Sequence, residues 1–265
     1  MTKRVVITGA AGNLGRKLRD WLSERGGYEL VLIDRESGGD AAVVVADVGV
    51  YDAAWADLLR SSDVVVHLAG AIWPYTYSDA LMAGNVDAVL NLFEAAVNGT
   101  VKRVILASST HVMVGYRGSR CQITADMPPR PLSAYGMSKL MGERIGQSYA
   151  QRHGLSVVCL RIGTVRPGAN PPHKRVSHWD QQRWLSNRDF CQAVERAINV
   201  EGVDFTVLNL ISDIAGSRWD IGETRRVLGY VPQDRDVPTR GTLRAELRAW
   251  LSGKRPDLVR WLRGF

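Results

Sequence analysis

Cysteine is scarce in this chain: Cys121, Cys159 and Cys191 are its whole complement in 265 residues. Their odd number, wide spacing and position outside any CxxC or Cys/His pattern point away from a disulfide framework and a zinc site, and no metal is expected. Long apolar runs are missing too. None reaches the roughly 18 to 20 residues that cross a bilayer, and Lys3-Arg4 leads directly into a short apolar strand without a cleavage-site pattern. No membrane partner is therefore expected, and the expected compartment is the cytoplasm. Basic residues outnumber acidic ones, 34 to 27, for a formal charge of +7. They are scattered, however, and no stripe of them carries interleaved aromatics, so nucleic acid is not an expected partner.

What the chain does have is the composition of an ordinary globular protein, 45% hydrophobic and 23% charged, and a regular alternation of elements. RVVIT, YELVLID, AAVVVAD, DVVVHLAG, VKRVILASS and GLSVVCLRIG read as strands. They are mostly continuous apolar runs, as expected of strands covered on both faces. Between them lie an amphipathic segment carrying Leu14, Leu18, Trp21 and Leu22, a long helix around 79–98 and another around 133–152. Such repetition predicts an α/β fold with a Rossmann-type, doubly wound parallel sheet. From about residue 165, VRPGANPPHKRVSHWDQQRW shows no period and reads as a loop excursion over the sheet. A helix near 187–199, a strand at FTVLNL and charged C-terminal helices follow. Residues 1–163 are thus expected to form a dinucleotide-binding domain, and 164–265 a small dependent cap.

TGAAGNLG follows the first strand and opens a helix, so Gly9, Gly12 and Gly15 suit a tight turn, a close approach to a pyrophosphate and close helix-strand packing. Asp34 ends the second strand 19 residues after Gly15. A carboxylate there accepts hydrogen bonds from both ribose hydroxyls and repels a 2′-phosphate, which favours NAD over NADP; Arg35 beside it is the group that could instead meet a 2′-phosphate. Asp47 has two readings, a turn residue or a neighbour of the adenine.

Tyr135 and Lys139 stand four residues apart, on one face of a predicted helix. A phenol titrates near pH 10, too high for a base at neutral pH. A cation roughly 4 Å away at an effective dielectric near 20 favours the phenolate by up to ~4 kcal/mol, which brings it into working range. Ser108, Ser109 and Thr110 end the fifth strand and His111 follows. A hydroxyl here could hold the substrate oxygen that Tyr135 deprotonates, or could simply cap the strand.

In this order and spacing TGAAGNLG, Asp34, Asp47, HLAG, Asn85, SSTH and YGMSK resemble the extended short-chain dehydrogenase/reductases, and IGETRRVLGYVPQ is similar to their C-terminal segment. The resemblance spans nearly the whole chain. It implies that Tyr135 is the base, that Lys139 assists it and binds the nicotinamide ribose, and that Ser109 and Thr110 complete the catalytic set. It implies a cofactor path along Asn13, Leu14, Val48, Leu68, Ala69, Gly70, Ser108 and Ile162, with Asn85 supporting the site. Within that family, LRIGTVRPGANPPHKRVSHW…RWLSNRDF, ASSTH and GSRWD look like the corresponding parts of the uronate dehydrogenases, small members that oxidise the anomeric carbon of free hexuronic acids. Carried over, the substrate would meet Trp73, Ser109, Thr110, His111, Thr164 and an arginine, either Arg175 or Arg183, with Arg175 preferred. Two residues depart from that group: Thr110 stands where it tends to have Asn, and Trp73 where it tends to have a small hydroxyl residue.

The expected activity is NAD-dependent oxidation of a free sugar or sugar acid to its lactone, with a homodimer or higher homo-oligomer expected from the resemblance. Two alternatives stand beside it, a nucleotide-sugar epimerase or dehydratase and a dinucleotide-sensing protein without catalysis. The family's dehydratases usually carry an acidic pair after the catalytic Thr, where this chain has His111. Retention of both Tyr135 and Lys139 argues against a sensor.

Overall fold

The structure is a computed structural model and describes residues 2–72, 78–173, 176–240 and 244–248. Its centre is a seven-stranded parallel sheet: β1 (Lys3–Thr8), β2 (Tyr28–Asp34), β3 (Val43–Val45), β4 (Val64–His67), β5 (Arg103–Ser109), β6 (Ser156–Ile162) and β7 (Phe205–Leu210), in the order β3-β2-β1-β4-β5-β6-β7. The order reverses between β1 and β4, so a crevice opens beyond the carboxyl ends of these two strands. Helices Asn13–Arg25, Asn187–Asn199 and Gly222–Leu228 cover one face of the sheet. Helices Ala53–Arg60, Asp79–Val97 and Ala134–His153 cover the other. Side chains such as Trp55, Phe93 and Phe190 are fully buried between the layers, each worth about 1.5–3 kcal/mol of transfer free energy.

β3 is shorter than AAVVVAD suggested. It is an edge strand in which Val43 alone is buried, while Val44 and Val45 are 42% and 61% exposed. Helix Ala53–Arg60 had no counterpart in the sequence reading. It begins where Asp52 Oδ1 accepts the Ala54 N–H at 2.7 Å, and it buries Trp55, Ala56 and Leu59 along one stripe. By length and mean hydropathy, 1.3, Asp79–Val97 could cross a membrane, an exception to the absence of such runs noted above. Half of it lies inside this fold, where it supplies Val89, Leu92 and Phe93 to the core.

The excursion after β6 is built around aromatic residues. Trp179, Trp184 and Trp219 pack with Val112, Met113, Tyr116 and Ile211 into a third apolar cluster above the sheet. A short helix, His178–Gln181, sits inside what read as loop, and a small parallel ladder, β8 (Asp213–Ile214) with β9 (Arg235–Asp236), ties the C-terminal segment down. The segment after residue 163 also contributes β7 and helix Asn187–Asn199 to the main sheet and its core.

Candidate active site

The first turn is shaped by contacts that admit no side chain. A Cβ on Gly9, whose φ is +74°, would lie 2.6 Å from the Ala69 nitrogen, and one on Gly15 would lie 2.1 Å from the Gly9 carbonyl oxygen. The turn therefore packs backbone on backbone and delivers the chain into helix Asn13–Arg25. Gly12 stands at that helix's N-cap, and neither a capping side chain nor an acidic residue occupies the first turn. Its amide groups suit an anion. Asn13 donates from Nδ2 to the Val165 carbonyl at 3.0 Å, which ties the turn to the loop after β6.

Asp34 ends β2 with its carboxylate held toward this turn, Oδ2 accepting the Ala11 N–H at 2.9 Å and Oδ1 the Arg35 N–H at 2.7 Å. Asp47 Oδ1 closes a turn by accepting the Gly49 N–H at 2.8 Å, so the turn reading of this residue holds, and it lines the crevice as well. A third contact of this kind lies beyond β4. A Cβ on Gly70 would come within 2.7 Å of Asn85 Oδ1 and 3.0 Å of Lys139 Nζ. Asn85 belongs to a π-helical stretch, Ala83–Asp87, of helix Asp79–Val97. It grips Ala71 at both its N–H and C=O, at 2.8 and 3.0 Å, and donates to Ser138 Oγ at 3.0 Å.

Ser109 ends β5 and its Oγ accepts the His111 N–H at 3.2 Å, starting a 3-10 segment, Thr110–Tyr116, that the sequence did not announce. Helix Ala134–His153 begins with Ser133 Oγ accepting the Gly136 N–H at 3.1 Å, so Tyr135 and Lys139 occupy its first two turns. Lys139 Nζ lies 5.9 Å from the centre of the Tyr135 ring, and His111 meets that ring edge-on at 5.4 Å. Burial pushes the Lys139 ammonium down to about 8. Burial, followed by the field of Arg183, pushes His111 down to about 3, so its imidazole is neutral at physiological pH.

Ser108 faces a different partner from its neighbours. Its Oγ donates at 2.6 Å to Glu143, which in turn accepts Arg161 Nε and Nη2 at 2.8 and 2.9 Å on its two oxygens. Neither Glu143 nor Arg161 was singled out in the sequence, where a lone acid in a helix and a lone arginine in a strand carry no signal. Buried together, they fix the ends of β5, β6 and the Tyr135 helix relative to one another.

Most of the residues singled out from the sequence meet along one cavity of about 410 Å³, with Glu143 and Arg161 behind it. Along it come Gly9, Gly12, Asn13, Leu14, Gly15, Asp34, Asp47 and Val48 beside β1 to β3, then Leu68, Ala69 and Gly70 after β4, and then Ser108, Ser109, Thr110, His111, Tyr135, Lys139, Ile162, Thr164 and Arg183 beside β5 and β6. Asn85 stands just behind the wall at Gly70. Arg183, one of the two arginines considered, is buried in that wall and donates from Nη1 to Thr110 Oγ1 at 3.2 Å. Trp73 and Arg175 lie outside the described residues. Among the described residues no group of three or more His, Cys, Asp or Glu is gathered as a metal site.

Residues 5–181 match the NAD dependent epimerase/dehydratase family. The chain belongs to this family. It is similar to a uronate dehydrogenase of Pseudomonas putida, 33% identical over 92% of this chain and 88% of the relative. It is 34% identical to an L-arabinose 1-dehydrogenase (NAD(P)(+)) of Haloferax volcanii, over 87% of this chain and 96% of that one. Among solved structures, a mutant uronate dehydrogenase from Agrobacterium tumefaciens complexed with NAD superposes with a TM-score of 0.77 at 28% identity, covering 89% of this chain and 86% of the other. The residues of this family member fit the dinucleotide its family is named for: a close-packed turn with uncapped amides at one end, a carboxylate at the end of β2 beside it, and a lysine beneath a glycine too confined for any side chain.

Proposed function

We propose that this chain is an NAD-dependent dehydrogenase that oxidises the anomeric carbon of a free sugar acid of hexuronate type, or of a closely related sugar, to the lactone. The observation that carries this reading is the meeting of Tyr135, Lys139, Ser109 and the Arg183 guanidinium at one end of a cavity whose other end suits a dinucleotide. NAD, when bound, accepts a hydride from the substrate carbon. The Gly9–Gly15 turn would hold its pyrophosphate, Asp34 its adenosine ribose and Lys139 its nicotinamide ribose.

The chain's own residues supply the rest. Tyr135 takes the proton of the anomeric hydroxyl, with the buried ammonium of Lys139 favouring the phenolate. Ser109 donates a hydrogen bond to the reacting oxygen and holds it beside Tyr135. Thr110 can donate its hydroxyl proton inward while its oxygen accepts from Arg183. His111, uncharged, acts as a hydrogen-bonding group and not as an acid. A planar guanidinium binds both oxygens of a carboxylate, so Arg183 orients a sugar acid by the end remote from the reaction.

The test is NADH formation, followed by absorbance, from a panel of free hexuronates and neutral aldoses. Steady NADH production from a hexuronate is expected. Turnover of a nucleotide sugar without net NADH would instead mark an epimerase and overturn the reading. We further place the protein in the cytoplasm, supported by three cysteines that are free thiols. We also propose a homodimer joined across helices Asp79–Val97 and Ala134–His153, supported by the exposed apolar side chains Leu90, Met137 and Met141. The division into a dinucleotide-binding part, 1–163, and a dependent cap, 164–265, is retained on the same footing.

A further inference from the structure

Arg183 is not held by its own segment alone. Its Nη1 donates to Thr110 at the end of β5, and its Nη2 donates to Asp180 one helical turn earlier. Asp180 is itself secured, Oδ2 accepting from Ser177 Oγ at 2.7 Å and lying 3.5 Å from Arg117 Nη2. Burial works to raise the Asp180 carboxyl, but the Arg183 and Arg117 guanidiniums and the Ser177 hydroxyl together hold it below the usual carboxylate range. Both guanidiniums lie over the Trp179 ring, Arg183 at 5.8 Å and Arg117 at 5.9 Å from its centre.

Two features of this cluster point at a ligand. Arg183 lines the cavity while more than nine-tenths buried, and its Nε finds no hydrogen-bond acceptor among the described residues. That Nε is itself inaccessible, so what an entering anion meets is the guanidinium's charge, set in a wall from which water is largely excluded. The second feature is charge. Arg183 and Arg117 share the one carboxylate of Asp180, which also attracts Arg166; Glu246, from residues 244–248, adds an attraction to Arg117, and Arg218 lies over the same Trp179 ring at 5.1 Å. The carboxylate of Asp180, paired directly with Arg183, lowers the positive field that this guanidinium brings to the cavity, and so weighs against a second negative charge on the partner.

We propose that Asp180, which does not line the cavity, is the positioning residue of the substrate site: it fixes the Arg183 guanidinium on Thr110 and, by subtracting one charge, sets a preference for a carboxylate-bearing sugar over a sugar phosphate. The proposal rests on the dehydrogenase reading above. Nothing in the sequence marks Asp180, which sits in the aperiodic excursion.

Two variants separate the two halves of the role. Asp180→Ala frees Arg183, and kcat/KM for a hexuronate is expected to fall about ten- to a hundredfold, the range of one charge-assisted hydrogen bond. The loss should lie in KM, with kcat at saturation and the NAD dissociation constant within about threefold of wild type. Titration of an aldonate, which carries the carboxylate but no anomeric C–H, should show the same loss in binding. Asp180→Asn keeps an acceptor for Arg183 and removes the charge. The ratio of kcat/KM for a hexose 6-phosphate to that for the hexuronate should then rise about tenfold. A fall of kcat and NAD affinity together in Asp180→Ala would show a merely structural role and overturn the proposal, as would unchanged aldonate binding or an unmoved ratio in Asp180→Asn. A wild-type enzyme that oxidises neutral aldoses but no hexuronate overturns this proposal alone, whereas one that forms NADH from neither overturns the dehydrogenase reading and this proposal with it.

Discussion

Lys139, for which a catalytic role is proposed, is buried in a way that should destabilise the protein that carries it. Its ammonium is driven from the ordinary 10.5 down to about 8 by burial. At about 1.4 kcal/mol for each pH unit, keeping that ammonium charged inside the fold costs about 3 kcal/mol. The unfolded chain holds the proton up to about pH 10.5 and the folded chain only up to about 8, so between these values the unfolded state binds more protons and wild-type stability rises with pH. Below pH 8 the whole cost is present. Lys139→Met keeps most of the side-chain length without the charge. It should therefore unfold at a higher urea concentration than wild type at pH 7, by the equivalent of up to about 3 kcal/mol, while losing turnover. Repeating the denaturation at pH 9.5 should narrow the gap. A variant less stable than wild type at pH 7, or a gap of equal size at both pH values, would refute the reasoning.

Tyr135→Phe should lower kcat by about a hundredfold or more, the usual contribution of a positioned base, and leave NAD affinity nearly intact; fluorescence titration of NAD beside a kinetic assay checks both. Asp34→Ala should weaken NAD binding and relax the preference over NADP. Because this carboxylate also accepts two backbone N–H groups, the variant should lose roughly 1–3 kcal/mol of stability as well, measured by urea unfolding. Glu143→Ala should be more damaging than any of these, by about 3–5 kcal/mol, since it strands the buried guanidinium of Arg161; Arg161→Met made together with Glu143→Met should recover much of that loss in the same measurement.

Much of the cofactor site was readable in the chain because its requirements are local. A turn that must bring backbone against backbone requires glycine wherever a Cβ would collide, and Gly9 and Gly15 show such collisions. A base and its cation four residues apart on a helix share a face wherever the helix is placed, so Tyr135 and Lys139 needed no tertiary information. The sheet was legible for a similar reason, since strands covered on both faces are apolar throughout. β3 was overread because an edge strand loses that cover, and helix Ala53–Arg60 was missed because eight residues with three buried positions leave little periodic signal.

The cation at the far end of the cavity was another matter. Arg175 and Arg183 are indistinguishable as letters in an aperiodic loop, and the structure seats Arg183 in the cavity wall through partners 73 and 3 residues away, Thr110 and Asp180. The same holds for Ser108, which turns to Glu143, 35 residues on, while its neighbours Ser109 and Thr110 line the same cavity. The amino-acid sequence alone determined the fold class, the dinucleotide turn and the Tyr135/Lys139 pair, because each depends on backbone sterics or on spacing within one element. Only the tertiary structure brought Arg183 to Thr110 and Asp180 at the far end of the cavity, because an electrostatic field is set by distance in space, and those groups come from segments whose separation along the chain carries no trace of it.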